Sequence, residues 1–396
     1  MKTDLINIAM TCEKVHKYRT EKVSYYSNRI ALAFHLSVIS TIIYIVFAAG
    51  LAQADPLISV PAEYVADLRL PGSIDHYLRP ARILVDSKAS EIYVADAGNN
   101  RITILDQNGL FKFQFYTTEH CGAPSDVAVN AEGHIFVLGS TAKGAGVFEY
   151  DYNGTFLRQL SLDSLTDKPQ IGSFSIDNQG RLYCLDEAQI RLIRFSADGA
   201  VDKVIPVAND LSEKLRHEMT FGAMTIANDI IYLPASSIGS VYCYDLDGTF
   251  IRMIGYQGTK AGELNFPVAV AVTADHLVMV LDKHRYNVLC YTTEGKFLGE
   301  FGGKGISAGW FFHPTGLAVD DKQLAYVGQI FNNKIQVCRI PAAIIERLAQ
   351  PHSSVSVPKE PLAGSSSMSG QLKNKSQDQH LSTNYINQLH GGTSHA

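Results

Sequence analysis

The stretch Pro314-Thr-Gly-Leu-Ala-Val-Asp320 decides the fold, because versions of it return six times along the chain, beginning with Pro80-Ala-Arg-Ile-Leu-Val-Asp86. The copies are anchored at Pro80, Pro124, Ile171, Phe221, Pro267 and Pro314, giving spacings of 44, 47, 50, 46 and 47 residues. A period in that range is one blade of a β-propeller. Within the first copy, Ala81 to Asp86 is an apolar run and Glu91 to Ala95 a second. Arg101 to Asp106 is a third, and Asn108-Gly109 turns the chain into Leu110 to Phe115. Four short runs of β-formers joined by tight turns are a four-stranded antiparallel sheet.

The turn returns as Asn153-Gly154, Asp198-Gly199, Asp247-Gly248 and Glu294-Gly295. Glycine takes the positive φ that such hairpins need, and the residue before it tolerates the left-handed region. Asp245-Leu-Asp247-Gly248 has the outline of a calcium loop, but no bidentate Glu follows at the required spacing.

Between the second and third runs lies a corner, Asp96-Ala-Gly-Asn99-Asn100-Arg101 in the first copy and Gln329-Ile-Phe-Asn332-Asn333-Lys334 in the sixth. Asp186-Glu-Ala-Gln189-Ile190-Arg191 and Asp282-Lys-His-Arg-Tyr-Asn287 follow it more loosely. These corners resemble the NHL repeat family, over roughly residues 64 to 340. The resemblance implies an all-β six-bladed β-propeller in which the corner Asp and Arg hold a hairpin. The second and fourth copies carry Gly139 and Ala235 in place of the Asp, followed by small residues, so a looser or longer loop is expected there.

The sixth copy stops after its third run, Lys334 to Ile340. The missing strand lies upstream, in Glu63-Tyr-Val-Ala-Asp-Leu-Arg-Leu70, so the ring is expected to close on its own N-terminal strand. Closure of this kind leaves no free sheet edge at the seam.

Outside the ring the chain changes character twice. Residues 1–29 hold six Lys/Arg against three acids and read as a basic cytoplasmic region. Ile30 to Leu51 follows without Asp, Glu, Lys or Arg, long enough to span a bilayer, and Ala52-Gln53-Ala54 resembles a cleavage site. Residues 30–54 are therefore a signal peptide or an uncleaved signal anchor, with membrane contact through residues 30–51 in the second case. Either places the propeller, residues 55–341, outside the cytoplasm, in a periplasmic or other extracytoplasmic space. Residues 342–396 read as a short helix, Ala342 to Ala349, and a disordered tail of polar composition with dispersed His352, His380, His390 and His395.

A net charge of −5 and a pI near 6.2 supply no basic footprint for nucleic acid. Six cysteines in 396 residues are not a disulfide framework, and those within the blades read as buried thiols. There is no G-x-S-x-G, H-E-x-x-H, Walker or dinucleotide motif, and no cofactor is expected.

Two positional signals remain. Four residues before each anchor lie His76, His120, Asp167, His217, Glu263 and Trp310. The first five are ligand-type residues, so His76, His120, His217, Asp167 and Glu263 form an alternative metal set beside the main expectation of no metal. The second signal is the sixth lead-in loop, Gly309-Trp310-Phe311-Phe312-His313, in which Trp310 and Phe312 stand where the fifth copy has Glu263 and Asn265. Trp310 and Phe312 are expected as apolar anchors for a protein partner or small ligand, with His313, His76, His120, His217 and Arg79 as a polar rim.

Two functions follow from different classes. The first is an exported or membrane-tethered binding and assembly module, accessory to an envelope redox system in one version. The second is a metal-dependent enzyme, because similar six-bladed propellers include lactonases and lyases with a metal on the central axis. The Glu-Gly-Pro-type motif of the lactonases is absent, which favours the binding module.

Overall fold

In a computed structural model, residues 59–60, 62–71, 76–141 and 144–350 are described. Six sheets follow one another in chain order. Blade one comprises Pro80–Asp86, Glu91–Asp96, Arg101–Asp106 and Phe111–Tyr116, all antiparallel. Blades two to five repeat this plan, with inner strands Pro124–Val129, Ile171–Ile176, Thr225–Ala227 and Pro267–Val272. Blade six has Pro314–Val319, Leu324–Gln329 and Lys334–Arg339, and its outermost strand is Glu63–Asp67 from the N-terminal side. The protein is a six-bladed β-propeller closed by its own N-terminal strand.

The core is divided into wedges between neighbouring blades rather than gathered at one centre. Leu68, Leu70, Tyr77, Ile83, Val94, Tyr326 and Ile335 fill the wedge between blades six and one. Equivalent clusters follow around the ring. The short helix α1 (Glu213–His217) lies before blade four, and α2 (Ala342–Ala349) sets Ile344 into the wedge between blades five and six. Among the described residues no helix is long and apolar enough to cross a membrane, and residues 1–54 and 351–396 lie outside them.

The turn glycines carry a second duty that the sequence does not announce. Gly154 has φ +79°, and a Cβ there would stand 2.4 Å from Cγ of Phe115 in blade one. Gly248 has φ +88°, and a Cβ there would stand 2.1 Å from Cγ2 of Ile205 in blade three. Each glycine thus permits both the hairpin and the close seating of that hairpin on the blade before it.

Blade four corrects the expectation of a loose corner, while in blade two the paired strands run on to Thr141 and Gly144 and the tip, residues 142–143, lies outside the described residues. In blade four a single 3-10 turn, Ser236–Ile238, ends at left-handed Gly239, and Ser236 Oγ donates to the Pro267 carbonyl of blade five at 2.6 Å. In blade two the bare Gly139 makes room for Cys121, whose carbonyl oxygen would lie 2.3 Å from a Cβ. The missing carboxylate is replaced by direct packing of the neighbouring backbone. A further feature was not foreseen: Ser59–Val60 pairs in parallel with Glu300–Phe301, adding a fifth strand to blade five.

Candidate functional site

The loops leading into the inner strands meet the corners between second and third strands at one end of the ring. Asp96 shows how they are tied. Its Oδ1 accepts from Leu78 N at 2.7 Å, and its Oδ2 accepts from Asn99 Nδ2 and Arg101 Nε at 2.8 and 2.9 Å. Burial pushes the Asp96 carboxyl upward, and these donors pull it back. Asp186 and Asp282 accept the equivalent lead-in backbone N–H groups, from Gln170 and from Asn265 and Phe266. In blade six Gln329 takes the same part, accepting from Phe312 N at 2.8 Å.

The corner arginines fasten three of the six positions that lie four residues before an anchor. Arg101 Nη2 donates to the His76 carbonyl at 3.1 Å, Arg191 Nη2 to Asp167 Oδ2 at 2.7 Å, and Arg285 Nη1 to the Glu263 carbonyl at 3.0 Å. Gln336 Nε2 does this for the Trp310 carbonyl at 3.0 Å. Three of these four bonds use backbone oxygens, so the register is a fastening point for the loop and tolerates many side chains.

His76, His120, His217, Asp167 and Glu263 are not brought together, which corrects the alternative metal set. His120 stacks on Phe156 of blade two at 4.0 Å, His217 ends the exposed helix α1, and Asp167 is committed to Arg191. Glu263 caps its own loop through Lys260 N at 2.9 Å. Among the described residues no group of three or more His, Cys, Asp or Glu could hold a metal ion. The polar rim is likewise dispersed at His120 and His217, while His76 is exposed beside the first corner.

What the fold does assemble is an aromatic array over blades five and six. His313 sits edge-on to Phe312 at 4.6 Å, to Phe331 at 4.7 Å and to Tyr286 at 5.9 Å. Lys304 Nζ stands 5.5 Å from the Tyr286 ring centre. Phe331 is 65% exposed and Trp310 is 44% exposed, the latter lying against the backbone of Gly303 and Gly305. Phe312 is half-buried, and Phe311 is fully buried in the core. Arg79 joins the edge of the array, its backbone N–H donating to Asn333 Oδ1 of the sixth corner at 3.0 Å. Arg79 and His313 both hold left-handed backbone, at φ 58° and 47°, a conformation costly for residues with a Cβ.

Tyr286, Phe331 and Lys304 were missed from the sequence. Tyr286 and Phe331 belong to the corner motif, where the residue type is free, so nothing in the repeat marks them out.

At the other end of the ring the inner strands run out into hairpins around a cavity of about 410 Å³ on the central axis. A buried ion pair links the inner strands of blades one and two. Arg82 Nε faces Asp126 Oδ1 at 3.1 Å, and Arg82 Nη2 reaches across the ring to the Met224 carbonyl and Thr225 Oγ1 of blade four, at 3.1 and 3.3 Å. Asp126 Oδ2 also accepts from Ser173 Oγ and Phe174 N. Burial pushes the Asp126 carboxyl upward, and the Arg82 guanidinium opposes that shift.

No family profile matches the chain. The protein brain tumor of Drosophila melanogaster is 28% identical over 132 residues, covering 32% of this chain and 12% of that protein. Streptogramin B lyase superposes with a TM-score of 0.51 at 14% identity, over 70% of this chain and 98% of its own. An auxiliary nutrient binding protein from Bacteroides thetaiotaomicron gives 0.51 at 11% identity, over 66% and 69%. At such identities the likeness is one of fold alone, and one fold hosts many functions.

Proposed function

We propose that this chain is an exported NHL-type propeller that works as a binding module, engaging a protein partner through the lead-in face over blades five, six and one. The array centred on His313 carries the reading. It gathers Tyr286, Phe312 and Phe331 around one ring within 6 Å, with exposed Phe331 and Trp310 beside it. Aromatic side chains on a rigid frame present large apolar area at little entropic cost, and such residues dominate interface energetics. Lys304 and Arg79 flank the array and suit a partner that sets acidic groups around an apolar centre.

Trp310 is the single tryptophan in the chain, so its fluorescence reports on this face without interference. A photo-crosslinking residue at Phe331, used in the source cell, is expected to give a discrete adduct that disappears with Trp310→Ala, whereas one at Ala89, on an inner hairpin at the other end, gives none. The purified partner is then expected to shift the Trp310 emission to the blue. Equal adducts from both positions, or a partner that leaves the emission unchanged, would remove this face from consideration.

A further inference from the structure

The apolar run Ile30 to Leu51 is joined to the ring close to one identifiable edge. Ser59, eight residues after Leu51, opens the added strand of blade five, where it pairs with Glu300 and Val60 pairs with Phe301. The pairing is parallel to Phe297–Gly302, so the N-terminal end of the added strand faces Phe297 and the hairpin of residues 292–296. Eight residues extend over at most about 29 Å, which keeps the end of the apolar run within that distance of the blade-five edge.

The same hairpin rests on the outer strand of blade four, Phe250–Ile254. A Cβ on Gly295 would stand 3.7 Å from the Met253 carbonyl oxygen, and Arg252 Nη1 donates to the Thr293 carbonyl at 3.1 Å. That outer strand is apolar toward solvent. Phe250 is 50% exposed, Met253 46% and Tyr256 64%, with Ile251 exposed beside them. Phe250 is held edge-on to Tyr242 and Tyr244, at 6.1 and 5.8 Å, so its ring is fixed at the rim. From Phe250 to Tyr256 the one charged residue is Arg252, and there is no acid. Aromatic and aliphatic side chains around a basic residue suit the headgroup region of a bilayer, whose anionic lipids attract the positive charge. Blade one also exposes Phe111, Phe113 and Tyr116 on its outer strand, but it stands across the ring from blade four.

We infer that the outer strand of blade four rests on the lipid interface of the membrane that residues 30–51 enter, with Phe250, Met253 and Tyr256 among the headgroups. The inference rests on the reading of residues 30–51 as a retained anchor, and it adds which side of the ring meets the bilayer.

Two single-tryptophan chains test it, Met253→Trp with Trp310→Phe and Tyr116→Trp with Trp310→Phe. All three replaced residues are exposed, so the ring is expected to fold. Each full-length chain is reconstituted into phosphatidylcholine–phosphatidylglycerol vesicles, with and without a lipid carrying a nitroxide quencher near its headgroup. The quencher is expected to remove most of the emission from position 253 and to leave that from position 116 unchanged. Adding Phe250→Ser and Tyr256→Ser to the first chain should restore its emission. Flotation of the vesicles after an alkaline wash reads the anchor separately. Chains that float without quenching at position 253, or with equal quenching at both positions, would overturn the docking and leave the anchor standing. Chains stripped off by the wash would remove the anchor and the docking with it.

Discussion

Tyr64 lies directly opposite Cys338, so the first and last strands of the ring are neighbours in blade six. Leu68 N continues the pairing to the Ile335 carbonyl at 2.9 Å, and Leu68 is buried in the wedge between blades six and one. Deleting residues 55–70 should therefore open the third strand's edge and leave a protein that aggregates. The milder Leu68→Ala should cost about 2–4 kcal/mol in denaturant unfolding, the usual range for a buried leucine. Unchanged stability would mean that the seam does not hold the ring.

Asp96 joins a lead-in loop, a corner and Arg101 at one buried point. Asp96→Ala leaves a buried guanidinium without its carboxylate, and a loss of about 3–5 kcal/mol is expected from such a broken pair. Gly139→Asp in blade two, by contrast, should destabilise, because Cys121 already fills that space. Chemical denaturation of both variants measures the contrast, and a stabilising Gly139→Asp would contradict it.

Gly248→Ala meets two obstacles at once, a left-handed φ and the Ile205 side chain. It should cost about 1–3 kcal/mol, as overpacking does. Pairing it with Ile205→Ala, which removes the clashing Cγ2, should cost less than the sum of the two single losses. Full additivity of the two changes would show that the glycine acts through its turn alone.

The cysteines of the ring are free and buried. Burial pushes the thiols of Cys243 and Cys338 up to about 12 from an ordinary value of 9.0. At pH 8 a thiol reagent should find at most Cys12 in the native chain and all six cysteines after denaturation. The sign of the pH dependence follows from the raised values. The folded state keeps protons that the unfolded state loses, so this contribution to stability is whole below about pH 9 and falls away as pH rises toward 12. Stability rising across that interval would contradict the burial of these groups.

The proposed topology is tested by a reporter fused after Ala349 that works only in the cytoplasm. It is expected to stay silent, and activity would refute export through residues 30–51. The size of the mature chain separates a cleaved signal from an anchor.

The repeat, the number of blades, the closing strand and helix α2 could all be read from the chain, because each follows from local chemistry repeated at a fixed period. An apolar run makes a strand and Asn-Gly or Asp-Gly makes a hairpin wherever they occur, and a unit short of one strand points to a spare strand elsewhere. The proposed anchors for binding were legible only where a residue broke the pattern, as Trp310 and Phe312 did. Tertiary structure alone decided that Arg101, Arg191 and Arg285 fasten the loops at His76, Asp167 and Glu263, and it left His120 and His217 apart from them. It also gathered Tyr286, His313 and Phe331 and set Arg82 across the axis against Thr225. These contacts join blades far apart in sequence, and their geometry exists only after the ring has closed.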